Sequence, residues 1–139
     1  MDTPRWHFRF DNFRDALAKL SEAVAKLSAG GLSELEREGT VQRFEYTWEL
    51  AWKTLRDYLA DNGNAVNVPS AANVIRAAFQ VNLIDDGDAW IAAMKARNEM
   101  SHEYSRESFE RIVVEIKDVY LPLLINVGQK LNDERAAGN

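Results

Sequence analysis

Trp6, Phe10, Phe13, Leu17, Leu20, Val24 and Leu27 follow one another at intervals of 4-3-4-3-4-3. Large apolar side chains at that spacing line one stripe of an α-helix; a strand, with its period of two, would scatter them over both faces. A stripe sustained over three heptads has to be covered by other helices crossing near +20°. The first segment therefore commits the chain to a helical bundle. Gly30-Gly31 closes the stripe. His7 lies beside it, where an imidazole is a structural boundary residue, and no chemistry is assigned to it.

Ser33-Glu34-Leu35-Glu36 has the form of a capping box and restarts helix, with Gly39 as a point where that helix bends or breaks. From Val41 to Leu59, Phe44, Trp48, Ala51, Leu55 and Leu59 fill one stripe, while Tyr46, Leu50 and Trp52 fall off it. A helix apolar on more than one side lies at the centre of a bundle or at an interface. Asn62-Gly63 ends it. Pro69-Ser70 opens a short helix carrying Val74, Ile75, Ala78 and Phe79, with Arg76 on the polar side. Asp85-Asp86 opens another with Trp90, Ile91, Met94 and Arg97, which should stop near Met100 or Ser101. A final long helix runs from about Glu107 through Phe109, Ile112, Val113, Ile116, Tyr120, Leu124, Val127 and Leu131. Pro122 removes a donor from it and clashes with the preceding turn, which predicts a kink near Asp118. From Asn132 onward the chain is polar and expected to fray. The expected architecture is all-α: an antiparallel up-and-down four-helix bundle with one extra short helix between the second and third. It forms a single domain over residues 1–139, with the core at about 5–131 and a polar C-terminal tail.

Composition supports this and removes several functions. A hydrophobic fraction of 46% in 139 residues suffices for a packed core, one that buries about two-thirds of the unfolded surface. A net charge of −5 argues against broad non-specific nucleic-acid binding but leaves room for a local phosphate site. With no Cys, disulfides and thiol catalysis are excluded. The N-terminus has no apolar leader-like region, and no apolar run approaches a membrane span. The expectation is a soluble, cytoplasmic protein with no membrane contact.

Polar chemistry concentrates in Arg97-Asn98-Glu99-Met100-Ser101-His102-Glu103-Tyr104, which holds one of only two histidines. On an unbroken helix Arg97 and His102 would stand roughly 140° apart. They can serve one ligand only if the helix ends between them or if two copies of the chain meet. Ser101 favours an end, because its hydroxyl competes for backbone hydrogen bonds. Spacing alone favours the plainer reading, an Arg and a His capping the last carbonyls of a helix. Tyr104 by itself reads as a half-buried ring packed on the final helix.

Glu99-Met100-Ser101-His102 spells Glu-x-x-His, but a di-metal bundle needs a second such motif and two inward glutamates. His7 has Pro4 at the matching position, so no metal is assigned. Two His and no Cys give no zinc spacing, no Gly-rich phosphate loop is present, and no cofactor is expected. What remains is an Arg–His pair suited to metal-free phosphodiester chemistry. An imidazole near pKa about 6.5 transfers protons at neutral pH, and a guanidinium holds phosphate oxygens. With RNA, the 2′-hydroxyl is the built-in nucleophile. Asn98 would donate to the same phosphate.

Arg97-Asn98-x-x-x-His102 resembles the Arg-polar-x3-His signature of HEPN domains. The longer Arg97-x4-His102-x-Tyr104 is similar to the motif of HEPN proteins paired with minimal nucleotidyltransferases. Arg9-Phe10-x-Asn12-Phe13, the block from Gln42 to Leu55, and Val74-Ile75-Arg76-x-Ala78-Phe79 resemble the nucleotidyltransferase substrate-binding proteins, so the likeness covers about residues 5–131. One departure is Ala96, where relatives often carry an acidic residue. The resemblance implies a helical bundle, a homodimer that brings two motifs to a shared cleft, and a minimal nucleotidyltransferase encoded nearby as partner. It also implies one of two activities. The favoured one is a metal-independent ribonuclease toxin of a toxin–antitoxin pair, with Arg97 and His102 catalytic, Asn98 in support, and Tyr104 as the acceptor of AMP that silences it. The alternative is a non-catalytic, substrate-binding subunit of a two-component nucleotidyltransferase.

Overall fold

The computed structural model describes residues 2–139. It is all-α: α1 (Arg5–Ala29), α2 (Glu34–Asp61), α3 (Ala71–Gln80), α4 (Gly87–Met100), α5 (Arg106–Glu115) and α6 (Leu121–Ala136). A π-helical turn over Ile116–Tyr120 joins the last two into one rod. No strand occurs among the described residues.

The heptad stripe is the buried edge of α1. Trp6, Phe10, Phe13, Leu20 and Val24 are in the core, Leu17 and Leu27 are half-buried, and Ala16 and Ala23 join them. The helix with which α1 packs most extensively is α2; Ala16 borders a surface cleft with Thr47 and Ala23 one with Thr40. α2 meets them with a stripe absent from the apolar pattern: Thr40, Thr47 and Thr54, seven residues apart and all buried. Each hydroxyl donates back to the carbonyl four residues earlier, on Glu36, Arg43 and Leu50. The threonines therefore behave as small side chains with internally satisfied oxygens.

Caps account for most element ends. Ser33 accepts from the Glu36 backbone N–H at 3.1 Å while Glu36 accepts from the Ser33 N–H at 3.1 Å, a complete capping box. Ser70, Asp86 and Ser105 each cap their helix through the side chain. Pro4 gives α1 no side-chain cap. Asp61, at the far end of α2, accepts from the Trp6 backbone N–H at 2.9 Å instead.

Three expectations need correction. α2 runs unbroken through Gly39, because Val41 and Phe44 bury immediately beyond it and outweigh the modest helical penalty of glycine. The kink near Asp118 is a π turn: the Leu121 N–H donates to the Ile116 carbonyl, five residues back. One extra residue in the turn shifts the carbonyls that Pro122, in the first turn of α6, would otherwise confront. The tail does not fray at Asn132. Helix continues to Ala136, Arg135 reaches Asp11 at 2.7 Å and lies over the Phe10 ring, and the Trp6 indole donates to the Asn139 carbonyl at 3.1 Å.

Candidate functional site at the end of α4

α4 is fixed to α2 by apolar contact. Trp48 and Trp90 meet with ring centroids 5.0 Å apart, both fully buried. Ala93 and Ala96 pack in the same core. Position 96 is 5% exposed, so an acidic side chain there would be buried, and alanine is what this packing accommodates. The helix ends where its sequence says it should, at Met100, and the Ser101 hydroxyl donates to the Arg97 carbonyl at 3.0 Å. His102 thus falls outside the helix, in the link to α5.

Arg97 turns towards α2. Its guanidinium lies 3.1 Å from Glu49 Oε1, and both side chains are 29% exposed. The arginine Nε is buried and has no hydrogen-bond partner among the described residues. A buried N–H left unpaired costs about 1–3 kcal/mol, so the arginine is held by Glu49 without being fully satisfied. The other oxygen of Glu49 accepts from the Trp52 indole at 3.2 Å and lies 3.6 Å from Lys53 Nζ. One turn earlier, Glu45 lies 3.4 Å from the Ser101 hydroxyl. Burial raises the Glu45 carboxyl above the ordinary glutamate value, against the opposing pull of Arg97.

The remaining motif residues do not join this arrangement. Asn98 and His102 are exposed, and neither side chain hydrogen-bonds to another among the described residues. Tyr104 stacks on Phe109, with centroids 6.0 Å apart and planes 15° from parallel, and stays 43% exposed. The plainer reading of its ring is the observed one. Glu99 is bound by Arg111 through both carboxylate oxygens at 3.0 Å. No hydrogen bond links Arg97, Asn98, His102 and Tyr104 to one another among the described residues. Arg97 points into the α2 face while the other three belong to the outer surface.

Glu49, Trp52 and Lys53 were missed by reading the motif alone. Their signal was present: Glu45, Glu49 and Lys53 are spaced four apart on one face of α2, in the orientation that favours Glu–Lys pairing. Among the described residues no group of three or more His, Asp or Glu side chains is placed to hold a metal ion. Nor, among the described residues, is any helix long and apolar enough to cross a membrane. A separate cleft of about 440 Å³ opens between α3 and the start of α4, lined by Ile75, Arg76, Phe79 and Asp88 among others.

The model of the family described as "nucleotidyltransferase substrate binding protein like" matches residues 8–133. Two solved structures share the fold. One is a Thermus thermophilus protein, 30% identical, with a TM-score of 0.75 over 85% of this chain and 98% of that one. The other is a Haemophilus influenzae protein, 23% identical, with a TM-score of 0.77 over 88% of this chain and 98% of that one. The latter structure is described as revealing the fold of a substrate binding domain of a nucleotidyltransferase. Comparison with curated proteins gives no match.

Proposed function

The chain belongs to the family of nucleotidyltransferase substrate-binding proteins, and from that premise we propose that it is the substrate-binding partner of a separate nucleotidyltransferase, acting by binding and not by catalysis of its own. The observation that carries this is the state of the motif arginine. A catalytic Arg–His pair needs both groups aimed at one scissile phosphate, with the imidazole oriented by a partner. Here Arg97 turns inward to α2, while His102 faces solvent on the outer surface with no side-chain hydrogen bond to orient it among the described residues. The surplus aromatic surface of α2, with Tyr46 63% exposed, supports assembly into a homodimer or with the enzyme.

The test is assembly followed by substrate binding. The purified chain, mixed with a minimal nucleotidyltransferase from the same genome, should give a stable complex by size exclusion with light scattering. That complex should bind the transferase's nucleotide or acceptor more tightly than the enzyme alone. A chain that neither assembles nor alters substrate affinity would refute the proposal. Light scattering of the chain alone should show a dimer at micromolar concentration.

One observation favours the ribonuclease-toxin reading: the exposed edge of Tyr104. The residue is 43% exposed, and in this reading its phenolic oxygen attacks the α-phosphorus of ATP, forming a phosphodiester, releasing pyrophosphate, and losing its proton to solvent. Intact-mass spectrometry after incubation with the transferase, ATP and magnesium would then show AMP increments that vanish in Tyr104→Phe. RNA incubated with the chain in EDTA would be cleaved in a manner abolished by His102→Ala, with thermal stability unchanged. Intact RNA and an unmodified Tyr104 would leave the binding reading alone in the field.

A further inference from the structure

Three N–H donors of different kinds converge on one carboxylate. The Arg97 guanidinium reaches Glu49 Oε1 at 3.1 Å. The Trp52 indole and the Lys53 ammonium approach Oε2 at 3.2 and 3.6 Å. Two of the donors come from the helix that carries Glu49, and one crosses from α4. An anion between a guanidinium, an ammonium and an indole N–H is what a phosphate site holds. In this chain the anion is its own side chain.

We propose that Arg97, Trp52 and Lys53 form an anion site for the phosphate of a nucleotide, and that Glu49 is its resident stand-in, displaced when the phosphate arrives. This deepens the substrate-binding reading and rests on it.

Three observations support displacement over a permanent structural pair. Glu49, Arg97 and Lys53 are 29%, 29% and 37% exposed, so the site opens to solvent and a ligand need not breach the core. The buried Arg97 Nε has no acceptor among the described residues; Glu49 leaves that N–H unmatched because its second oxygen is turned to Trp52 and Lys53, whereas a tetrahedral phosphate with more oxygens presents further acceptors to the guanidinium edge. Glu49 also stands on the partly exposed stripe of α2 with Glu45, Trp52, Lys53 and Arg56, so a change of rotamer returns its carboxylate to water. Chemistry sets the direction of exchange. A carboxylate carries one negative charge and a terminal phosphate up to two, so the two cations favour the phosphate. Without Glu49, Arg97 and Lys53 would lose the counter-ion they share in the unliganded chain, which gives the glutamate its place.

The probe is inorganic pyrophosphate, which has no base or sugar, titrated into the full-length chain by isothermal calorimetry. Glu49→Gln removes the competing charge and keeps the shape, and should bind pyrophosphate roughly tenfold or more tightly than wild type. Adding Lys53→Met or Arg97→Lys to that background should abolish the gain. Thermal melts establish that each variant is folded. A second readout does not depend on Glu49→Gln folding: in the wild-type chain, the ¹H–¹⁵N resonance of Arg97 Nε should shift on addition of pyrophosphate and be unmoved by the same concentration of acetate. Equal or weaker binding by Glu49→Gln would overturn the displacement, and so would an Arg97 resonance indifferent to pyrophosphate. Either result in a chain that still assembles with its nucleotidyltransferase would refute this site while leaving the substrate-binding role intact.

Discussion

Asp57 should be the most sensitive polar position in the molecule. Its side chain is 2% exposed and accepts from Arg9 Nε at 2.7 Å and Arg56 Nε at 3.1 Å. Arg9 comes from α1, so the carboxylate ties α1 to the part of α2 just beyond Lys53. Asp57→Asn keeps shape and volume, opens no cavity, and removes only the charge. Two charge-assisted hydrogen bonds, about 1.5–3 kcal/mol each, are lost or weakened. The arginines are 33% and 31% exposed, so water restores part of their solvation, and about half of the gross loss should persist. The net destabilisation should be about 1.5–3 kcal/mol, at or below the lower end of the 3–5 typical of breaking a fully buried pair. For a chain of this size that is a fall in Tm of roughly 5–12 °C. Urea denaturation followed by tryptophan fluorescence measures it, with the m-value unchanged if the native state is otherwise intact. A double-mutant cycle with Arg9→Met should return a coupling of about 1 kcal/mol or more. A variant within about 0.5 kcal/mol of wild type, or additive effects in the cycle, would refute this account of the α1–α2 tie.

Trp48→Ala should open a cavity against Trp90 and cost about 3–5 kcal/mol, read by the same denaturation, and it should also loosen the Arg97–Glu49 pair. Ser33 holds the Glu36 carboxyl below the ordinary 4.5, first through its backbone N–H. A lowered carboxylate stabilises the fold above its usual titration range and stops doing so as the pH falls, so the Tm values of Glu36→Gln, which cannot ionise, and wild type should converge in acid. Burial, and donation to Glu134 at 2.9 Å, push the Tyr58 phenol up to about 12. Its stabilising contribution is complete below about pH 10 and should fade as the pH rises towards 12, and the late phase of phenolate absorbance should shrink by one tyrosine in Tyr58→Phe, Tyr120 supplying the remainder.

The fold was legible where physics is local. The heptad of α1, the Ser33–Glu36 box, Ser70, Asp86 and the end of α4 all act within one or two turns, and each appears where the sequence puts it. What escaped was long-range. The C-terminal tail reads as polar, yet Trp6, Asp11 and Tyr58 await it from positions more than seventy residues away. The Thr40–Thr47–Thr54 stripe looks polar until each hydroxyl finds its own helix. At the candidate site, the motif named Arg97 but not its environment. The spacing between Arg97 and His102 says nothing of where a guanidinium points, and the residue that engages it lies forty-eight positions earlier in the chain. Charge pattern on α2 carried that information, and it becomes meaningful only once Trp48 and Trp90 place α4 against it.

The π turn at Ile116–Tyr120 has a consequence for how the gene can change length. A helix normally reads in a fixed frame: removing one residue swings everything downstream by about 100° and pulls the core face out of register. Here the frame already contains a spare residue, absorbed in the turn, so Phe109 and Ile112 before it and Leu124, Val127 and Leu131 after it all face inward. Deleting the half-exposed Val119 would let regular α-helix close across the gap without reorienting either flank, provided Pro122 were also replaced by a residue with an N–H. The same deletion at Val114 or Gln129 would leave one flank out of frame. The rod thus has a single address where its length is adjustable, and the proline marks it.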